Sequence, residues 1–242
     1  MTTFITKDTI SRLLKDVKNI IKNPLTENGI YYIHDDSDIM KGYALIIGSS
    51  DTPYFGGNYF FEFKYPSDYP HSPPKVIYCT NGNNVRFNPN LYTCGKVCVS
   101  LLNTWSGDQW TSCQSISTVL LTLCSLLSKD PLLNEPGVNI KHLDNKPYDE
   151  IIQYANIDIA VCDIVRKKSG VFLPFFDNFY PFIKENFLKN YDKLLEFAEN
   201  KNKDFNLSSK DFRTGFYSMK ICADYNNIIE KLNEAKLIVE IM

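Results

Sequence analysis

The sequence predicts an α+β fold: an opening helix, a four-stranded antiparallel meander, a central helix and a helical C-terminal extension. Three observations carry this. Apolar residues recur at helical spacing near the start of the chain; four runs rich in β-branched and aromatic residues follow too closely for crossover helices to fit between them; and helical spacing returns from residue 116.

In the opening helix Ile10, Leu13, Leu14, Val17, Ile20 and Ile21 form one face, with Thr6 or Asp8 as cap and Pro24 as stop. Its other face sets Lys7, Arg12, Lys15, Lys18 and Lys22 against Asp8 and Asp16, either a solvated surface or a docking patch for an acidic partner. Strands are expected at Ile30–His34, Tyr43–Ile47, Tyr59–Lys64 and Lys75–Tyr78, with Asp35 to Asp38 and Ser49 to Gly57 as turns. Four prolines between Tyr65 and Pro74 exclude regular structure there, and Tyr92 to Trp110 is mostly irregular. Long loops in a compact domain usually carry function. Ile116, Val119, Leu120, Leu123, Leu126 and Leu127 make the central helix, capped by Ser112 or Ser115. Ile151, Ile152, Ala155, Ile159 and Ala160 suggest another. Seven of the 16 Phe then fall between Phe172 and Phe197, expected to form a satellite core rather than a partner-binding aromatic face.

A chain of 242 residues, 44% hydrophobic and 22% charged, belongs to the ordinary globular class. Its formal charge of -2 supplies no global positive field, so neither nucleic acid nor an anionic membrane is expected as a partner. The longest near-apolar run, Val119–Leu127, is well short of the ~20 residues that cross a bilayer. The polar start MTTFITKDTISRLLK does not resemble a secretion signal, and a cytoplasmic or nuclear location is expected.

Seven cysteines (79, 94, 98, 113, 124, 162 and 222) then read as reduced thiols, most of them buried. Three scattered histidines and no CxxC spacing speak against a zinc site, so no metal is expected. The informative segment runs from Arg86 to Leu102, where Cys94 and Cys98 lie in an extended loop beside asparagines and Gly95. A cysteine protease would need a histidine base and its own signature, and neither surrounds a cysteine here. A thiol can work without a base in thioester exchange, where the leaving group is a thiolate of similar basicity.

The stretch YPSDYPHSPPKV (65–76), then NPNLYTCGKVCVSLLNTW (88–105), then DPLLNEPG (130–137) beyond the central helix resembles the ubiquitin-conjugating enzyme family over about 130 residues. TNGNNVRF, the NPN triplet and YDEIIQYANIDIAVCDIV (148–165) resemble its Z subgroup. The resemblance implies the UBC fold, with residues 1–165 as the conjugating core and 166–242 as the helical extension. It identifies Cys98, eight positions after Asn90, as the thiol that accepts ubiquitin or a ubiquitin-like modifier from an activating enzyme and passes it to a substrate lysine or a ligase. No cofactor is implied, since the activating enzyme consumes the ATP.

The resemblance further implies that Asn90 stabilises the oxyanion or shapes the loop. Asn88, standing where most members have His, supports that loop. Glu135, before Pro136, is the supporting acid for the incoming lysine. Arg12, Lys15 and Lys18 match the surface for the activating enzyme. The ligase loops match Tyr65–Pro74, with His71 where many RING-paired members have Phe, and Trp110–Cys113, where Thr111, Ser112 and Cys113 replace the usual Ser-Pro-Ala; ordinary RING pairing is therefore not implied. The competing class, an inactive variant that only binds ubiquitin, lacks the cysteine, whereas Cys98, Asn90 and Gly95 are all present.

Overall fold

The computed structural model describes residues 5–241; Met1 to Phe4, the first part of the stretch weighed as a secretion signal, and Met242 lie outside the described residues. Helix α1 spans Lys7–Lys22, and the Thr6 side chain caps it by accepting the Thr9 N–H at 3.1 Å. Leu13, Val17 and Ile20 bury its apolar stripe, while Leu14 and Ile21 are exposed, so the buried face is narrower than the sequence period indicates.

Strands β1 (Ile30–His34), β2 (Lys41–Ile47), β3 (Asn58–Lys64) and β4 (Lys75–Tyr78) form one antiparallel sheet in chain order. The period of two divides it cleanly. Ala44, Ile46, Tyr59, Phe61, Phe63, Val76 and Tyr78 face the main core, which they share with α2 (Ile116–Leu126) and α3 (Asn145–Ala155). Leu45, Phe60, Tyr31, Ile33, Tyr43 and Ile47 face the other way, against the C-terminal extension. Burial on both faces explains why β2 and β3 read as nearly continuous apolar runs rather than alternating ones.

Ser115 caps α2, accepting from Thr118 N. Beyond α3 the helix widens into a π-helical stretch, Asn156–Asp163, every residue of which is buried. There Asn156 donates to Phe55 O at 2.9 Å and accepts from the Tyr59 hydroxyl at 2.6 Å, and Asn58 donates to Ala160 O at 2.9 Å. Gly57 makes room for this: a Cβ on it would lie 1.9 Å from Asn156 Oδ1.

The aromatic-rich tail forms a 3-10 turn at Pro174–Phe179 and helix α4 (Tyr180–Asp204), followed by α5 (Tyr225–Ile241) packed against α4. Phe176 stacks on Phe60 at 3.6 Å between centroids, Phe175 on Tyr43 at 4.5 Å and Phe182 on Tyr31 at 4.3 Å. The tail is thus a second core built on the sheet's outer face. It also contains a hairpin not anticipated from the sequence, β5 (Lys210–Arg213) paired with β6 (Lys220–Ala223) against α3, because two four-residue strands are too short to show a period. Of the seven thiols, all free, only Cys98 and Cys162 are fully buried, whereas Cys94, Cys113 and Cys222 are exposed; the expectation that most are buried is corrected accordingly.

Candidate active site

The loop from Phe87 to Thr104 is held in large part by its own asparagines. Asn88 is fully buried; its Nδ2 donates to Leu126 O at 2.8 Å and its Oδ1 accepts the Asn90 N–H at 2.9 Å. Leu126 ends α2, and a last-turn carbonyl has no partner within its own helix, so Asn88 both completes α2 and anchors the loop to it. The Tyr54 hydroxyl adds a bond to Phe87 O at 2.6 Å.

Asn90 then grips the backbone of Cys98 twice. Its carbonyl accepts the Cys98 N–H at 2.9 Å, and its side-chain amide donates to Cys98 O at 2.5 Å. Between them the chain turns back at Gly95 (φ +88°), whose carbonyl accepts Tyr78 N at 2.8 Å; a Cβ there would sit 3.0 Å from Ile77 and 3.1 Å from Tyr78 O. The Cys98 thiol is 3% exposed and donates to Thr104 O at 3.0 Å. Thr104 in turn closes on Val99, accepting its N–H at 2.9 Å and donating to its carbonyl at 3.0 Å. Cys94, four residues away, is exposed and outside this network.

Glu135 is half-buried rather than a free loop carboxylate, and accepts a hydrogen bond from the hydroxyl of Tyr217, at the tip of the β5–β6 hairpin. Arg86, at the head of the loop, donates to Pro89 O and lies with its guanidinium carbon 3.7 Å from the Tyr92 ring centroid and 4.1 Å from that of Tyr217. Sequence reasoning did not single out Arg86 or Tyr217. The segment TGFYSM has turn composition, but nothing local connects it with residues 86–98.

Of the basic residues on α1, Lys15 and Lys18 are exposed. Arg12 is not free in the same way: its Nε pairs with Asp16 at 3.1 Å, and its Nη atoms donate to Ser112 O at 2.7 Å and Gln114 O at 2.5 Å. Asp16, buried among these groups, also accepts from the Tyr69 hydroxyl at 2.5 Å. Arg12 therefore ties α1 to the second of the two loops expected to meet a ligase. The fold brings those loops together: Trp110 Nε1 donates to Pro70 O at 2.7 Å, and exposed Ser112 and His71 approach to 3.5 Å, with exposed Cys113 beside them.

The family model for ubiquitin-conjugating enzymes matches residues 12–154, from α1 to the end of α3. Ubiquitin-conjugating enzyme E2 Z of Xenopus tropicalis is 38% identical over 227 residues, covering 92% of this chain and 69% of the frog protein. The human E2 Z is 39% identical over 225 residues, 91% of this chain and 61% of its own length. The human dual E2 ubiquitin-conjugating enzyme/E3 ubiquitin-protein ligase BIRC6 is 39% identical over 164 residues, 62% of this chain but 3% of that much longer protein. This chain thus spans roughly two thirds of the E2 Z relatives' length, and the similarity passes beyond the conjugating domain into the extension. With a motif-bearing loop closed around one thiol, and a matching fold behind it, the chain belongs to the ubiquitin-conjugating enzyme family.

Proposed function

We propose that the chain carries ubiquitin or a ubiquitin-like modifier as a thioester on Cys98, taken from an activating enzyme and passed to a substrate lysine or a ligase, in the cytoplasm or nucleus. The observation that carries this reading is the double grip of Asn90 on Cys98, which presents one thiol on a loop of fixed shape. In charging, the Cys98 sulfur attacks the activating enzyme's thioester, a carbon–sulfur bond forms as another breaks, and the departing thiolate takes up the proton. In transfer, a neutral lysine amine attacks the carbonyl, the C–S bond breaks, and Cys98 leaves as a thiolate while the amine loses its proton to it or to water.

Negative charge gathers on the carbonyl oxygen during that attack, and an amide donor lowers the barrier. In the resting loop the Asn90 amide is committed to the carbonyl of Cys98, so loop shaping is its standing role, and donation to the oxyanion requires it to swing from that oxygen. Glu135 supports the incoming amine. Lys15 and Lys18 form the surface for the activating enzyme, Arg12 positions the loop beside it, and His71, Ser112 and Cys113 form the ligase face. We assign residues 1–165 to the conjugating core and 166–242 to the extension.

The test is a charging reaction with activating enzyme, ATP and ubiquitin or another modifier, resolved without reducing agent. A thiol-labile adduct that Cys98→Ala abolishes and Cys94→Ala retains is the expected result. An adduct surviving in Cys98→Ala would overturn the assignment.

A further inference from the structure

The tip of the β5–β6 hairpin carries two consecutive non-glycine residues in left-handed backbone, Tyr217 (φ +61°) and Ser218 (φ +48°). A bulky side chain at positive φ is a genuine outlier, held only where the surroundings over-determine it, and such positions cluster at functional sites. Here the surroundings are identifiable. Thr214 N donates to Met219 O at 3.1 Å across the turn, Phe216 N donates to Asp144 Oδ2 at 2.8 Å, and Arg86 N donates to the sulfur of Met219 at 3.3 Å. These contacts hold the tip against the head of the Cys98 loop.

What the strained residue does there is specific. Its ring and that of Tyr92 both lie against the Arg86 guanidinium, so that one cation is shared by two aromatic faces. Arg86 is at the same time bonded to Pro89 O, next to Asn90, while its own carbonyl accepts the Tyr148 hydroxyl at 2.6 Å. The Tyr217 hydroxyl holds Glu135. Burial and the neighbouring carboxylate both raise the pKa of that phenol, so it stays protonated and donates. One side chain from the extension therefore touches both the loop that carries Asn90 and the acid assigned to the incoming amine.

We propose that Tyr217 is a positioning residue for the transfer step: stacked on Arg86 and bonded to Glu135, it makes the C-terminal extension a structural part of the active site. The inference rests on Cys98 being the thioester nucleophile. Its consequence is a division between the two half-reactions, because charging needs only that the Cys98 sulfur leave Thr104 O and reach the incoming thioester, whereas lysine attack needs Asn90 and Glu135 in register.

Two variants separate the contacts. Tyr217→Phe keeps the ring over Arg86 and loses the bond to Glu135; Tyr217→Asn loses both, with a residue that tolerates positive φ. Preformed thioester is mixed with free lysine and its decay followed, alongside the charging rate, the melting temperature and the amide NMR signals of Asn90 and Cys98. Tyr217→Asn is expected to slow discharge about tenfold and Tyr217→Phe about threefold, with charging within about twofold of wild type. The Asn90 side-chain amide should shift in Tyr217→Asn. Tyr217→Phe combined with Glu135→Gln should cost less than the product of the two single effects, because both remove the same hydrogen bond.

Discharge at the wild-type rate in Tyr217→Asn would overturn the proposal, as would an unmoved Asn90 signal or charging and discharge that decline together. If the wild-type chain forms no thioester it is the Cys98 reading that fails, and the NMR comparison still tells whether Tyr217 positions Asn90.

Discussion

The Asn90 side-chain amide donates to the carbonyl of Cys98, and under the proposed mechanism it bears on transfer rather than on charging. Asn90→Ala should retain charging yet slow lysine transfer on the order of 100-fold, the usual loss when an oxyanion donor is removed; single-turnover charging and discharge rates check this, and equal loss in both steps of a folded variant would refute it. Asp149 gives a prediction of another kind. It lines a hollow of about 410 Å³ between core and extension, shared with Gln153, Leu194 and Phe197, and Gln153 Nε2 donates to it at 2.5 Å. Burial first, and the charge of Glu150 second, push its pKa up to about 6. Since the native value exceeds the unfolded one, the stability Asp149 contributes is complete below about pH 4 and is lost as the pH rises through about 6. Asp149→Asn should therefore melt at a higher temperature than wild type at pH 7 and at nearly the same temperature at pH 4. Cys98 was marked by its motif spacing, and the residue types around it were legible too. That the Asn90 amide would bond back to Cys98 was not legible, because it depends on how the loop folds on itself.

At the scale of elements, local periodicity located the four strands and α2 to within two residues of their observed ends and α1 to within three. Both caps are among the residues singled out for them, Thr6 for α1 and Ser115 for α2. Ser115→Ala should cost about 1 kcal/mol, measurable by denaturant unfolding, because Thr118 N then loses its partner at the half-buried N-terminus of the central helix. The π-helical stretch was not legible. Residues 148–165 carry an ordinary helical pattern, and the widening arises where Asn156 bridges Phe55 and Tyr59, residues about a hundred positions earlier in the chain. The hairpin escaped for a related reason: four residues per strand are too few for an alternation to stand out, and its register is set by packing on α3.

Across the whole molecule the extension has two attachments. Its aromatic cluster covers the outer face of the sheet, and its hairpin reaches the Cys98 loop. Phe176→Ala should cost about 3–5 kcal/mol, since the ring is fully buried and stacked on Phe60. A chain ending at Val165 would expose Leu45 and Phe60 together with Tyr31 and Tyr43, an apolar patch of the kind that drives association. Size-exclusion chromatography of that truncation should show aggregated material, and a stable monomer would refute the two-core account. By itself the sequence determined the order of α1, the four sheet strands and α2, determined the family, and marked Cys98 as the candidate nucleophile, because helical and strand periods and motif spacing are written over a few neighbouring residues. Only the tertiary structure decided that the tail buries the second face of the sheet, that Arg12 bonds to the backbone of Ser112 and Gln114, and that Tyr217 closes on Arg86 and Glu135. Each of these joins surfaces far apart in the chain, and which distant surfaces meet is settled by the packing of the whole fold.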